Sequence, residues 1–177
     1  MFRNHPGSSV HRANIGGPAG KVGSAEMDAG FQKDSIIIVG VDGSESSLQA
    51  LRWAIGLAKL MGAKLEAVMA WEWPNVWGPT PTWPAEVDPA EVTRSQLAQA
   101  VDSVLGPGSA PDVQQIVTEG HAASVLITAS EHADLLVVGS RGHGTFGGAL
   151  LGSVSQHCVT HAVCPVVVVR LRSSGKQ

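Results

Sequence analysis

Cysteine is scarce in this sequence: there are two in 177 residues, Cys158 and Cys164. Two cysteines at that spacing make neither a disulfide framework nor a CxxC pair. They read as small core residues of a reducing compartment, so the expected location is cytoplasmic. Long apolar runs are missing too. No stretch approaches the roughly 18 residues of a membrane span. The opening MFRNHPGSSVHRANIGG lacks the apolar centre of a secretory signal. It is basic and acid-poor, as organelle transit peptides are, but its glycines and prolines allow no amphipathic face. Charge is sparse, at 15% of residues with a net of −3. Residues 34–170 hold thirteen acids against six bases, whereas residues 1–33 carry four bases against two acids and the last seven residues carry two bases. An acidic body with short basic tails is a poor footprint for nucleic acid. Neither nucleic acid nor membrane is an expected partner.

What is present is a strand–helix alternation. Residues 1–33, rich in Gly, Ser, Asn and Pro, read as a disordered extension, with Met27 as a conceivable second start. SIIIVGV (Ser35–Val41) is a continuous β-branched run, as a strand covered on both faces should be. DGSESS turns into a helix, with Ser46 and Gln49 in capping-box spacing. Leu48, Leu51, Ile55 and Ala58 follow at helical spacing, and Gly62 sits where a helix C-terminus wants glycine. LEAVMAW (Leu65–Trp71) reads as a second strand, followed by a Pro- and Trp-rich loop (71–84). Asp88-Pro89-Ala90-Glu91 opens a helix with cap, first-turn proline and box partner; it runs to about Leu105. VQQIVTEG is a third strand and HAASVLITASEHA a third helix. DLLVVGS is a fourth strand, Ser153–Ala162 a fourth helix, and Pro165–Arg170 a fifth strand. Alternation of this kind predicts βαβ units, a parallel sheet and helices on both faces. One domain, residues 34–171, is expected, with residues 172–177 as a flexible tail.

The chemistry lies in VVGSRGHGTFGGALLGS (Val137–Ser153), which holds six glycines and one arginine. Gly142-His143-Gly144-Thr145-Phe146-Gly147 matches GxGxxG. A dinucleotide site, however, wants that motif after the first strand and an acid about twenty residues on. Here the motif follows the fourth strand, and Val167 occupies the acid's place. Residues 147–153 nearly match a Walker A loop, but Gly152 runs directly into Ser153 without the lysine that meets the β- and γ-phosphates. The third reading takes the whole stretch as G-x2-G-x9-G-S. Gly139 ends a strand, and Gly142 lets the chain approach a ligand closely. Gly152-Ser153 opens a helix whose free N–H groups favour an anion. Arg141 is the nearest fixed positive charge. Two facing backbone bends of this kind suit a chain of two or three phosphates.

On IIIVGVDGSESS, LLVVGSRGHG and LLGSVSQHCVTHAVCPVVVVR, the chain resembles the universal stress protein family, in its ATP-binding branch, over about Asp34 to Arg170. The resemblance implies an open five-stranded parallel, Rossmann-like sheet of order 3-2-1-4-5. Nucleotide would lie outside the strand C-termini at the switch between strands 1 and 4, in agreement with the rule for open α/β sheets. It implies that Asp42 meets ribose or nucleotide-bound Mg²⁺ (or Mn²⁺), with Gly40 and Val41 beside it. Backbone near Ala70 reads the adenine edge. Val138, Gly139 and Gly142 touch phosphate, and Gly152, Ser153 and Val154 complete the cradle. A related branch that binds cyclic AMP tends to lose the Ser-Arg-Gly-His-Gly character kept here.

Other residues take plainer readings. Asp42 is also placed to cap its turn, and Arg141 to be a solvated loop charge. His143 reads as polar loop filler. His157 and His161 share a helix face without a third zinc ligand or an HExxH glutamate. Ser153, His157 and Asp42 lack the elbow of a catalytic triad. Trp71, Trp73, Trp77 and Trp83 pack the loop after strand 2, with stacking on adenine open to one of them. Three functions follow. The first is an ATP-binding stress-response regulator, non-catalytic or slowly hydrolysing, acting through conformation or a protein partner the sequence does not name. The second is an ATPase or phosphotransferase with Asp42 on the metal. The third is an interaction module independent of nucleotide, or one that binds cyclic AMP. The valine-rich fifth strand would be a bare sheet edge, an association hazard. With the family's habit of pairing that strand, it predicts a homodimer.

Overall fold

The computed structural model describes residues 34–73, 88–106, 112–143 and 150–171. The expected extension 1–33, most of the Trp- and Pro-rich loop with Trp77 and Trp83, residues 144–149 of the glycine stretch and the tail 172–177 lie outside the described residues. The expected alternation is present. Its strands are β1 (Ile36–Gly40), β2 (Lys64–Trp71), β3 (Val113–Glu119), β4 (Leu135–Gly139) and β5 (Val166–Val169). Its helices are α1 (Glu45–Met61), α2 (Pro89–Leu105), α3 (Ala122–Ala129) and α4 (Ser153–His161). The third helical segment tightens into a 3-10 turn over Ser130–His132. All strand pairs are parallel, in the order β3-β2-β1-β4-β5.

Side chains alternate across the sheet because successive Cβ atoms of a strand point to opposite faces. Ile37 and Val39 therefore join one core, with Leu51, Ala54 and Ile55 of α1 and Leu97 and Val101 of α2. Ile38 joins the other, with Leu126 of α3 and Cys158 of α4. Ile37, Ile38 and Val39 are completely buried. Burial on both faces explains why β1 reads as an unbroken apolar run rather than an alternating one.

Local chemistry sets the helix ends. Gly62 ends α1 in the left-handed conformation (φ 66°), donating its N–H to the Ala58 carbonyl. Asp88 caps α2, accepting from the Ala90 N–H at 2.9 Å, with Pro89 in the first turn. Glu91 does not close a box there; it pairs with Arg94 one turn on. The start of α1 also differs from expectation. Its N-cap is Ser44, whose hydroxyl accepts from the Ser47 N–H at 3.3 Å, not Ser46. The Ser46 hydroxyl is engaged by the backbone of Arg141, 95 residues away. Gln49 lies beside Arg52 instead.

Candidate functional site

The order β3-β2-β1-β4-β5 reverses direction at β1, so the loops leaving β1 and β4 diverge on either side and open a crevice at the strand C-termini. A cleft of about 430 Å³ lies there, within the roughly 300–1,000 Å³ of small-molecule sites. The structure brings all of the sequence-predicted positions to its wall. Gly40, Val41 and Asp42 come from the end of β1 and Ala70 from β2. Val138, Gly139, Arg141 and Gly142 come from β4 and its loop, and Gly152, Ser153 and Val154 from the start of α4.

Two glycines are dictated by crowding. A Cβ on Gly139 would stand 2.7 Å from the Ser46 carbonyl carbon and 2.8 Å from the Ser47 nitrogen. The end of β4 thus runs directly against the first turn of α1. A Cβ on Gly142 would collide with Oδ2 of Asp42. Neither glycine has a positive φ, so the requirement is for space rather than for a special backbone conformation.

Asp42 does two things at once. Its Oδ1 accepts the Ser44 N–H at 2.9 Å and shapes the turn into α1. Its Oδ2 faces Gly142 across the cleft mouth. Gly43 carries the sharp part of that turn at φ 82°. Arg141 is exposed, and among the described residues no carboxylate pairs with it. It is a cation available to an anionic ligand.

The helix α4 opens at the cleft without a side-chain cap. Its first internal bond is Gln156 N–H to the Gly152 carbonyl, at 3.0 Å. The preceding N–H groups of Ser153 and Val154 carry the positive end of the helix dipole toward the cleft. The expected cradle needs one adjustment here. The Gly152 N–H is already given to the Ser140 carbonyl at 2.8 Å, so Gly152 contributes closeness rather than a donor. Ser155, fully within the wall, shares its hydroxyl between the Gly152 carbonyl (2.9 Å) and the Ser140 carbonyl (3.2 Å). Ser140 in turn donates its N–H to Val169 at 2.8 Å. The β4 loop, the α4 start and β5 are thereby one hydrogen-bonded unit.

Several residues here were given no part in the site by the sequence. Ser46 is buried, and its hydroxyl both donates to the Arg141 carbonyl and lies 3.3 Å from the Arg141 N–H. His143, read as filler, places Nε2 2.9 Å from the Asp42 carbonyl. The two loops on either side of the crevice are thus joined by side chains from each. Ser47 receives the Asp42 N–H at 3.3 Å and also lines the cleft. Val68, Ala122 and Leu126 make its apolar end, and Leu126 lies so close over Gly40 that a Cβ there would press on it.

The remaining candidates lie elsewhere. Trp71 and Trp73 pack edge to face, with ring centroids 5.5 Å apart, and neither lines the cleft. His157 and His161 stack on each other. Their Nδ1 atoms bond the carbonyls one turn back, at 2.9 and 3.1 Å. His157 therefore meets the Ser153 carbonyl rather than its hydroxyl. No cluster of three metal-binding side chains occurs among the described residues, nor is any described helix long and apolar enough to cross a membrane. Cys158 is completely buried, and burial pushes its thiol up to about 11. The Cys164 thiol is raised as well, chiefly by burial.

Comparison with known proteins agrees with this architecture. Residues 35–170 match the model of the universal stress protein family. A universal stress protein of Mycobacterium tuberculosis (strain H37Rv) is 36% identical over 141 residues, covering 76% of this chain and 44% of that one. The chain thus spans less than half the length of that curated relative. A universal stress protein of Thermus aquaticus is 32% identical over 139 residues, covering 76% of this chain and 97% of its own. Among solved structures, the UspA protein of Lactobacillus plantarum superposes with a TM-score of 0.59 at 25% identity, over 77% of this chain and 97% of that one. A universal stress protein in complex with cAMP superposes with a TM-score of 0.54 at 27% identity, over 76% and 95%. By the matched family model, by these relatives and by its sheet order, the chain belongs to the universal stress protein family.

Proposed function

We propose that the chain is an ATP-binding regulatory protein, non-catalytic or slowly hydrolysing, whose occupancy sets its conformation and its choice of partner. The single observation behind this reading is the convergence of every predicted contact position on one cleft at the β1/β4 switch point. Val68, Ala122 and Leu126 suit the adenine, near the backbone of Ala70. The uncapped start of α4 and Arg141, which pairs with no carboxylate among the described residues, suit the phosphates. Asp42 suits the ribose or a Mg²⁺ ion carried by the phosphates, with Oδ2 the atom available to it. Such an ion, when bound, neutralises phosphate charge and fixes phosphate geometry. Fast turnover is disfavoured because no lysine stands between Gly152 and Ser153 to meet charge developing on the γ-phosphate.

ATP with Mg²⁺ should raise the melting temperature by mass action, and mass spectrometry of the purified protein should release an adenine nucleotide. No thermal shift and no calorimetric heat at millimolar ATP would end this reading. An ATPase would instead give phosphate release well above background that collapses in Asp42→Ala. Cyclic AMP is a second reading. It is favoured by the commitment of the Gly152 N–H to Ser140, which leaves fewer donors for a long phosphate chain, and by the 27% identical structure that holds cAMP. Tighter calorimetric binding of cyclic AMP than of ATP·Mg would select it. We also infer a homodimer through Pro165–Arg170 and a cytoplasmic location; a monomer at micromolar concentration in sedimentation would refute the former.

A further inference from the structure

A second cleft, of about 510 Å³, opens beside the first, and its size too falls within the range of small-molecule sites. Asp42 and His143 line both. The first cleft includes Ala122 and Leu126 of α3 and the start of α4. The second instead includes Gln96, Gln99 and Ala100 of α2. Helix α2 packs on the opposite face of the sheet from α3 and α4, so the two clefts open on opposite sides of the β1 end. Leu48, Met69 and Ala100 make the apolar part of the second. Gln96 and Gln99 stand three apart and so share one side of α2. Neither carboxamide is hydrogen-bonded to another described residue.

The polar groups of this second cleft are rich in acceptors and poor in cations. Among the described residues no lysine or arginine lines it; Arg141 lines the first cleft instead. The Asp42 carboxylate is in no ion pair among the described residues. The 2.9 Å contact of His143 Nε2 with the Asp42 carbonyl fixes the ring's tautomer, because a carbonyl can only accept. Nε2 carries the hydrogen, and Nδ1 of the neutral ring is left as an acceptor. Each glutamine can turn its amide oxygen toward a donor. Residues 34–170 carry thirteen acids against six bases, so the field of the whole domain also favours a cation. An anion placed here would face the Asp42 charge with no cation to offset it. A metal ion finds no cluster of three His, Cys, Asp or Glu among the described residues. An ammonium with three N–H groups, or a guanidinium with five, meets several acceptors at once. The aliphatic stems of such groups lie along apolar surface while the head stays among polar groups, which suits Leu48, Met69 and Ala100.

We propose that the second cleft binds an aliphatic amine or guanidinium, its charged head held by Asp42 and its remaining N–H groups by Gln96 and Gln99. The site is distinct from the nucleotide cleft and touches it only through the shared Asp42 and His143 wall. The test is an NMR titration of the full chain with agmatine, without nucleotide and at constant ionic strength. The amides of Gly43, Gln96, Gln99, Ala100 and His143 should shift saturably, with a dissociation constant on the order of 1 mM for so small a ligand. Tetramethylammonium, a cation without N–H groups, should give no saturable shift at those residues. Asp42→Asn should weaken agmatine about fivefold, as a charged acceptor becomes a neutral one. The double variant Gln96→Leu, Gln99→Leu should weaken it by roughly threefold or more, and leave any ATP·Mg²⁺ thermal shift as in the unmodified chain. No saturable shift at those residues, an equal response to tetramethylammonium, or unchanged affinity in the double variant overturns the proposal. A blocked arginine dipeptide separates two sources of the same chemistry. Tighter binding than agmatine assigns the cleft to a side chain of a protein partner, and weaker binding assigns it to a free amine. Absence of the nucleotide shift in the unmodified chain, with the agmatine pattern intact, would refute the nucleotide reading alone.

Discussion

Replacing Gly142 by alanine should abolish nucleotide binding while leaving the fold nearly as stable as before. The new methyl group would collide with Oδ2 of Asp42, a side-chain end that can swing aside. Swinging aside breaks the 2.9 Å bond from the Ser44 N–H, at a cost of about 1 kcal/mol. Because Gly142 has no positive φ, alanine fits its backbone and restricts the unfolded chain, which returns about 0.4–1 kcal/mol. The two effects nearly cancel, so the melting temperature should move by only a few degrees, at about 4 °C per kcal/mol. The cleft, by contrast, loses both its carboxylate position and its closest backbone approach. ATP·Mg²⁺ at a hundred times its dissociation constant stabilises by about 2.7 kcal/mol, or roughly 10 °C on the same scale. That shift should vanish in Gly142→Ala. Gly139→Ala is the contrasting case. Its Cβ would meet backbone atoms at 2.7 and 2.8 Å, which cannot rotate away, so overpacking of about 1–3 kcal/mol should appear as lost stability. Differential scanning fluorimetry with and without nucleotide reads both effects. A Gly142→Ala protein that keeps its full nucleotide shift, or that is as unstable as Gly139→Ala, would refute the reasoning.

Asp42→Asn keeps an oxygen to accept the Ser44 N–H and removes the charge. Stability should hold within about 1 kcal/mol while calorimetric affinity for ATP falls more with Mg²⁺ than without; equal losses would count against a metal role. His143→Ala removes the 2.9 Å bond to the Asp42 carbonyl, so amides of residues 141–143 should exchange faster, with a stability loss of about 0.5–1.5 kcal/mol. Unchanged exchange there would make His143 the filler it resembles in sequence. Burial raises the Cys158 thiol from 9.0 to about 11, so the unfolded chain ionises first. Its contribution to stability is complete below pH 9 and is lost as pH rises through 11. Urea melts at pH 8 and pH 10.5 should show a smaller pH effect in Cys158→Ala, and an equal effect in both proteins would discard the assignment.

How much of this was legible in the sequence depended on where each cause lies. The strands and the Gly62 and Asp88 helix ends have causes within a few residues, and they read correctly. The cap of α1 was misplaced because Ser44, Ser46 and Ser47 are equivalent by composition. What separates them is a bond from Ser46 to Arg141, 95 residues distant. His143 and Leu126 were missed for the same reason: one is a polar residue in a loop and the other an apolar residue at helical spacing until the chain folds. Yet a signal was available. Once the strand order places β1 beside β4, the residues just past their ends must face one another across the crevice. Buried backbone at such a junction needs partners, and short polar side chains in DGSESS and SRGH are the groups able to supply them. Topology therefore converts two unremarkable loops into a short list of mutually bonded residues, with Ser46 and His143 at its head. Gly139 is what lets those loops come close enough to bond. A side chain at Gly139 should weaken the Ser46–Arg141 and His143–Asp42 links together, as shared loss of amide protection in residues 42–47 and 141–143. Loss confined to one loop would mean that the two sides of the crevice are held independently.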